Sequence, residues 1–353
     1  MPDIDAYSAV LRLPHDARRK FLARKLARFA TAQVVAPGIP GMSHWTAGQY
    51  MAIFRCRHAN GTEEAVRCPR GAIPGEPLSR SQALARHLAL HQPPLPYFVQ
   101  HEFLEQAVYA GQEWQPAFVM EWIEGVQLDR WVADRVAEGE GGALREMADR
   151  WAEMLALLQQ TWVAHGDLHH ENVLVTPLGE LKLVDYDSVW IPELGNGPSP
   201  VVGLRGYAHP AHLRGEVVRC QHRFLDTFAG LVVYVSLRTL AEDPTLHGRF
   251  SRENLLLRDS DLAEAEKSEL FAQLRSHPDA ELAALACELT RLCRALGECN
   301  VSLRSILRLA RRRGSFPQLT LPAIPDPAPR WTPNPPVAVS APPDLFGTVE
   351  VGR

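Results

Sequence analysis

One stretch constrains the fold of this chain more than any other. It reads His165-Gly166-Asp167-Leu168-His169-His170-Glu171-Asn172-Val173-Leu174-Val175 and is followed by Leu183-Val184-Asp185-Tyr186-Asp187. Asp167 and Asn172 stand five positions apart, and Asn172 and Asp185 thirteen. Between Asn172 and Tyr186, β-prone residues flank the turn Pro177-Leu178-Gly179, a hairpin pattern. A lone His-x-Asp would carry little information. Three polar positions at fixed spacing, with a hairpin between the second and third, describe an arrangement rather than a run of turn residues.

The remaining sequence divides around that stretch. Residues 1–35 contain an amphipathic segment, 16–32, with Phe21, Leu22, Leu26 and Phe29 on one side and Arg and Lys on the other. A helix packed on the main domain is expected there. Residues 36–123 are β-rich, with strands expected over 50–54 and 65–68 around the turn signal Asn60-Gly61, then over 97–104 and 117–122. A helical stretch at 79–90, closed by Pro93-Pro94, interrupts them. Residues 124–315 turn mostly helical after Glu124-Gly125. Buried-helix spacing (Met147, Trp151, Met154, Leu155, Leu158) runs through 144–160, and further helices are expected over 224–240, 262–276, 281–295 and 303–313. The expected class is therefore α+β and bilobal, a small β-rich lobe before a larger helical one. From residue 316 onward ten of the 28 prolines crowd into 38 residues. That tail is expected to be extended or disordered, with Asp344-Leu345-Phe346 as a candidate docking segment for a partner.

With 46% hydrophobic and 22% charged residues, the 353-residue chain has ample material for a core and is neither collagen-like nor intrinsically disordered. A formal net charge of −4 gives no global attraction to nucleic acid. Six cysteines without a CxxC pair read as reduced thiols of an intracellular protein, not as a disulfide frame or zinc site. No apolar run approaches the roughly 18 residues of a spanning helix. Arg18-Arg19-Lys20 would interrupt a signal-peptide core. A cytoplasmic protein without a membrane partner is expected.

In the 165–187 stretch the chain resembles the protein kinase superfamily, whose catalytic loop is H-R-D-L-x-x-x-N and whose metal-binding motif is D-F-G after a short strand. The resemblance implies ATP as cofactor with Mg²⁺ or Mn²⁺, and a protein substrate or regulatory partner. It makes Asp167 the group that accepts or orients the proton of the attacking hydroxyl, and Asp185 and Asn172 the metal ligands. His169 stands where a lysine usually meets the γ-phosphate. Phe118-Val119-Met120-Glu121-Trp122-Ile123-Glu124-Gly125 is similar to the hinge, with Met120 at the back pocket and the backbone of Glu121 and Ile123 holding adenine. Gly203-Leu204-Arg205-Gly206-Tyr207-Ala208-His209-Pro210 resembles the G-T-x-x-Y-x-A-P that closes an activation segment. Asp226 opens a segment similar to D-x-W-x-x-G, whose Asp clamps the catalytic loop. Through several of these segments the chain also resembles a group of bacterial kinase-like proteins.

Several positions depart from the family pattern. The V-A-I-K strand reads Glu64-Ala65-Val66-Arg67, and 26–181 contains no lysine at all. Arg67 keeps the charge as a wider, planar fork, and residues 79–90 hold no acidic partner for it. The phosphate-covering loop retains one glycine, Gly48, in Ala47-Gly48-Gln49-Tyr50. Gly166 replaces the arginine that docks a phosphorylated activation loop, Asp187 the glycine of D-F-G, and Ala211 the glutamate of A-P-E. Three functions follow as expectations. The first is an atypical ATP-dependent Ser/Thr protein kinase; the second is a pseudokinase that binds nucleotide or scaffolds partners. The third is a small-molecule phosphotransferase like the aminoglycoside and choline kinases, which share His-Gly-Asp-Leu-His but usually lack the G-x-x-x-Y-x-x-P segment.

Overall fold

The computed structural model describes residues 4–35, 45–47, 51–69, 76–99, 101–295 and 299–314. Its first half is an antiparallel sheet built from β1 (Gln33–Val35), β2 (Trp45–Ala47), β3 (Met51–Arg57), β4 (Glu63–Pro69), β5 (His101–Ala110) and β6 (Glu113–Glu121). The order is β1-β3-β4-β6-β5, with β2 also paired to β3. Asn60-Gly61 makes the turn its composition calls for: Gly61 adopts φ +84°, and Met51 to Arg57 pair in register with Pro69 to Glu63.

Alternation along β4 and β6 divides the sheet's side chains between two cores. Val66, Cys68 and Val119 join Phe54, Leu22, Leu26 and Phe29 in one cluster, whereas Ala65 and Met120 join the core of the helical half. The first cluster explains the N-terminal segment. It holds α1 (Ile4–Leu11) and α2 (His15–Arg18), then two 3₁₀ turns, Arg19–Phe21 and Arg24–Ala30, instead of the single helix expected over 16–32. Leu22 bridges Val108, and the Ala23 N–H donates to the Ala107 carbonyl at 2.9 Å. That strand-like contact interrupts the helix. The buried Arg18 guanidinium then ties the segment together through the carbonyls of Leu13, Phe29 and Ala32.

The helix expected over 79–90 begins earlier, as α3 (Glu76–Ala89). The chain at 97–99 stays outside the ladder and pairs with the helical half, so the strand expected over 97–104 starts at His101. Beyond β6 the helical half holds β7 (Val126–Gln127), α4 (Leu128–Ala137) and α5 (Gly141–Gln160). The hairpin β8 (Val173–Val175) and β9 (Leu181–Leu183) forms around the predicted turn and pairs with β7. Next come α6 (Pro210–Leu213), α7 (Thr227–Glu242), α8 (Asp259–Ala263), α9 (Glu269–Arg275), α10 (Ala280–Arg294) and α11 (Leu303–Gly314). The almost wholly apolar α7 is buried along nearly its whole length. It crosses α5 so closely that a Cβ on Gly230 would lie 2.3 Å from Leu155 Cδ2. The helix expected over 262–276 is divided into α8 and α9. Asp261 accepts from the Arg258 N–H and the Ser268 hydroxyl, while Ser268 caps α9 through the Phe271 N–H. All six cysteines are free thiols. Among the described residues no helix is long and apolar enough to cross a membrane. The proline-rich tail lies outside the described residues.

Candidate functional site

The loop between α5 and β8 is held from below by α7. Asp226 stands at the N-cap of that helix but does not cap it. Its two carboxylate oxygens accept the His165 N–H at 2.5 Å and the Gly166 N–H at 2.9 Å. This is the clamp that the resemblance implies. His165 Nε2–H donates to the Val184 carbonyl at 2.8 Å, and the Val184 N–H donates to the Asn172 carbonyl at 3.0 Å. The Asn172 amide donates to the Asp167 carbonyl at 2.8 Å and approaches His169 Nε2 at 3.0 Å. One network thus joins the backbone on both sides of Asp167, the side chain of Asn172 and the residue before Asp185.

Asp167 brings a second carboxylate to this network. Burial opposes its charge, but His169, with Nε2 3.7 Å from Oδ2, and the more distant His165 and Arg219 outweigh it. Together they hold the carboxyl below the usual range. A small cavity of about 30 Å³ opens beside it, lined among others by Leu204, Tyr207, Arg219 and Phe228. That is room for one or two water-sized groups.

Gly166, which stands where the resembled motif has an arginine, is required sterically. It adopts φ +82°, and a Cβ there would lie 2.1 Å from the Ser188 carbonyl oxygen. The segment after Asp185 therefore packs directly on the backbone of the loop that carries Asp167.

Asp185 itself adopts φ +66°, a left-handed conformation uncommon for a side-chain-bearing residue. Its neighbour Tyr186 fixes the local path, its hydroxyl donating to the Leu183 carbonyl and accepting the Val99 N–H. Across the cleft, Arg67 on β4 donates from Nη2 to Asp185 Oδ1 at 2.9 Å. Residues 79–90 offer Arg67 no carboxylate, as expected, and its partner comes from the helical half instead. The pair is asymmetric, with the Arg67 side chain 10% exposed and that of Asp185 46%. Burial disfavours the Arg67 charge, but Asp185 and Asp187 outweigh it and hold the guanidinium firmly protonated. Asp187 is open to solvent at its edge, yet the protein around it and the charge of Asp185 raise its carboxyl above the usual range.

Compared with protein-family models and with curated proteins, the chain matches none. Its site is therefore read from its own residues. Hard oxygen donors suit Mg²⁺, which takes one or two protein ligands and leaves the rest to phosphate and water. Asn172 and Asp185 fit that requirement. The Asn172 amide nitrogen donates to the Asp167 carbonyl, which leaves its carbonyl oxygen for a ligand. Among the described residues, no group of three or more His, Cys, Asp or Glu is placed to hold a metal alone. Arg67 Nε is a buried N–H without a protein partner, a donor available to a phosphate oxygen.

The other predicted positions fall as follows. Met120 is buried at the end of β6, across from Ala65 and His101. Glu121 is exposed at the strand's last residue, and Ile123 is half-buried in the irregular link to β7. Gly48 lies outside the described residues. Two anchoring residues gave no sequence signal. Arg80 on α3 donates to the Val189 carbonyl at 2.7 Å, tying that helix to the segment after Asp187. Arg219 reaches Gly166 from a loop far along the chain.

Proposed function

We propose that this chain is an ATP- and Mg²⁺-dependent phosphotransferase of bilobal, protein-kinase-like design, residues 36–123 forming one lobe and 124–315 the other. Its acceptor is a Ser or Thr hydroxyl of a cytoplasmic protein. The observation that carries the reading is the single network joining Asp167, Asn172 and the Asp185 loop under the Asp226 clamp, with Arg67 facing Asp185 from the sheet. Phosphoryl transfer needs positioning and charge neutralisation more than covalent chemistry. Asp167, kept ionised by its neighbours, accepts the proton of the attacking hydroxyl in the adjoining cavity. Asp185 and Asn172 would hold the metal, which when bound neutralises the phosphate oxygens. Arg67 donates from Nη2 to Asp185 and keeps a buried Nε–H without a protein partner. The segment 203–210 beside Asp167 favours a protein acceptor over a small metabolite.

A second reading, nucleotide binding without turnover, is favoured by one specific feature. Arg67 already neutralises Asp185, the carboxylate that a metal ion would need. Thermal unfolding with ATP, with and without Mg²⁺, tests what the two readings share. A Mg²⁺-dependent rise in Tm is expected by mass action, and no rise at millimolar Mg·ATP would sink both. Transfer of labelled γ-phosphate to the protein itself or to a generic protein then separates them.

A further inference from the structure

Gly166 leaves the catalytic loop with no arginine of its own and no space for a side chain. An arginine arrives from elsewhere. Arg219 Nη1 donates to the Gly166 carbonyl at 2.6 Å and to the Val201 carbonyl at 3.0 Å, and it reaches the Ser199 hydroxyl at 3.3 Å. The chain on either side is stitched to the same segment. The Ser199 N–H donates to the Arg219 carbonyl at 2.7 Å, the Gln221 N–H donates to the Gly197 carbonyl at 2.8 Å, and Pro198 bridges Cys220. Farther along, Gly203 adopts φ +96° at the edge of the site, where a Cβ would lie 3.7 Å from Asp167 Oδ1.

The three oxygens that Arg219 Nη1 meets, on Gly166, Val201 and Ser199, are neutral carbonyl and hydroxyl groups. In the family that the motif resembles, the loop arginine is instead satisfied by a phosphate added after synthesis. We infer that Arg219 is a positioning residue that pins residues 197–203 to the loop carrying Asp167. The surface on which the acceptor hydroxyl docks is thereby assembled without phosphorylation. The inference rests on reading 165–187 as a phosphotransferase site, but its physical core, the fastening, is separately measurable.

Peptide-resolved hydrogen exchange on the full chain tests it, using wild type before and after phosphatase treatment, Arg219→Ala, Arg219→Lys and Ser199→Ala. Arg219→Ala should speed exchange across 196–205 and 165–168 at least tenfold and leave α7 and α10 unchanged. Arg219→Lys, one bond shorter but still a multiple donor, should restore part of the protection. Phosphatase and Ser199→Ala should change exchange less than twofold. Unchanged exchange in Arg219→Ala would overturn the inference, as would protection in wild type that collapses on phosphatase treatment. A second readout separates positioning from general support: Mg·ATP affinity should stay within twofold in Arg219→Ala while phosphate transfer falls at least tenfold. Parallel losses of affinity and transfer would count against a positioning role. If wild type binds no Mg·ATP, the phosphotransferase reading fails, and the exchange data still decide whether Arg219 fastens the segment.

Discussion

The two halves of the site are built to different standards. In the helical half the loop carrying Asp167 is held by its own His165 and Asn172 and, from later in the chain, by Arg219 and Asp226. In the sheet half the contribution described is one guanidinium, Arg67, holding one carboxylate. The half that would activate a hydroxyl is over-determined; the half that would hold phosphates depends on a single pair. A network with many members resists substitution, because each change orphans several buried groups. A lone pair can be exchanged for another cation. That contrast parallels the sequence, in which residues 165–187 keep the motif they resemble while Glu64-Ala65-Val66-Arg67 departs from it.

The sharpest way to break the contrast is at the carboxylates. Asp185→Asn should abolish Mg²⁺-dependent nucleotide binding in a calorimetric titration. Asp167→Asn should bind Mg·ATP normally and lose turnover by about a thousandfold, within the usual range for a proton-transfer residue. Equal losses of binding in both variants would show that the two carboxylates do not have divided roles.

Gly166→Ala measures how tightly the helical half is packed. A left-handed alanine costs about 1–2 kcal/mol, and a forced contact about 1–3 kcal/mol more. Urea unfolding should therefore show a loss near 3 kcal/mol, whereas a loss below 1 kcal/mol would mean that the loop yields easily.

For the sheet half, Arg67→Ala should weaken Mg·ATP binding by about 1.5–3 kcal/mol, the typical worth of a charged hydrogen bond, with Arg67→Lys between it and wild type. Unchanged or tighter binding in Arg67→Ala would mean that Arg67 competes with the metal for Asp185 and does not hold phosphates.

Next is the pH dependence contributed by the helical half. His170 is fully buried, its Nδ1 meeting the Tyr207 hydroxyl, and burial together with His169 pushes its pKa down to about 3. The folded protein keeps it neutral where the unfolded chain would protonate it. The stability tied to His170 is thus fully present above about pH 6.5 and is lost as pH falls toward about 3, at about 1.4 kcal/mol per pH unit. Comparing unfolding of wild type and His170→Phe between pH 6.5 and 4.5 should show a slope one proton shallower in the variant. Identical slopes would place the proton elsewhere.

The smallest effect is expected at the rim between the halves. Arg86 and Glu193 pair at 2.6 Å but are 61% and 53% exposed. Arg86→Ala should shift stability by less than about 0.5 kcal/mol.

Where short-range chemistry governs, the sequence was readable. Asn60-Gly61 and Pro177-Leu178-Gly179 placed two hairpins, and the apolar spacing of α5 placed a buried helix. Asp167, Asn172 and Asp185 were found because a hairpin of fixed length separates two of them. What sequence missed depended on partners distant in the chain. The helix expected over 16–32 is interrupted by Leu22 and Ala23 meeting β5, more than eighty residues later in the sequence. Arg219 lies in a segment without periodicity or motif, and only its meeting with Gly166 gives it meaning. Gly166 was legible as a missing charge but not as a steric requirement, because the Ser188 carbonyl that demands it is unrelated in sequence.

The connection at 97–99 has a mechanical consequence. Lys182 Nζ holds the Pro96 carbonyl, the Leu183 N–H holds that of Tyr97, and the Tyr186 hydroxyl takes the Val99 N–H. The sheet is thereby tethered to the rest of the molecule at that point as well as along the covalent link at 122–125. With Arg80 on the Val189 carbonyl and Arg86 on Glu193, these bonds set the sheet against the 182–193 segment at the place where Arg67 meets Asp185.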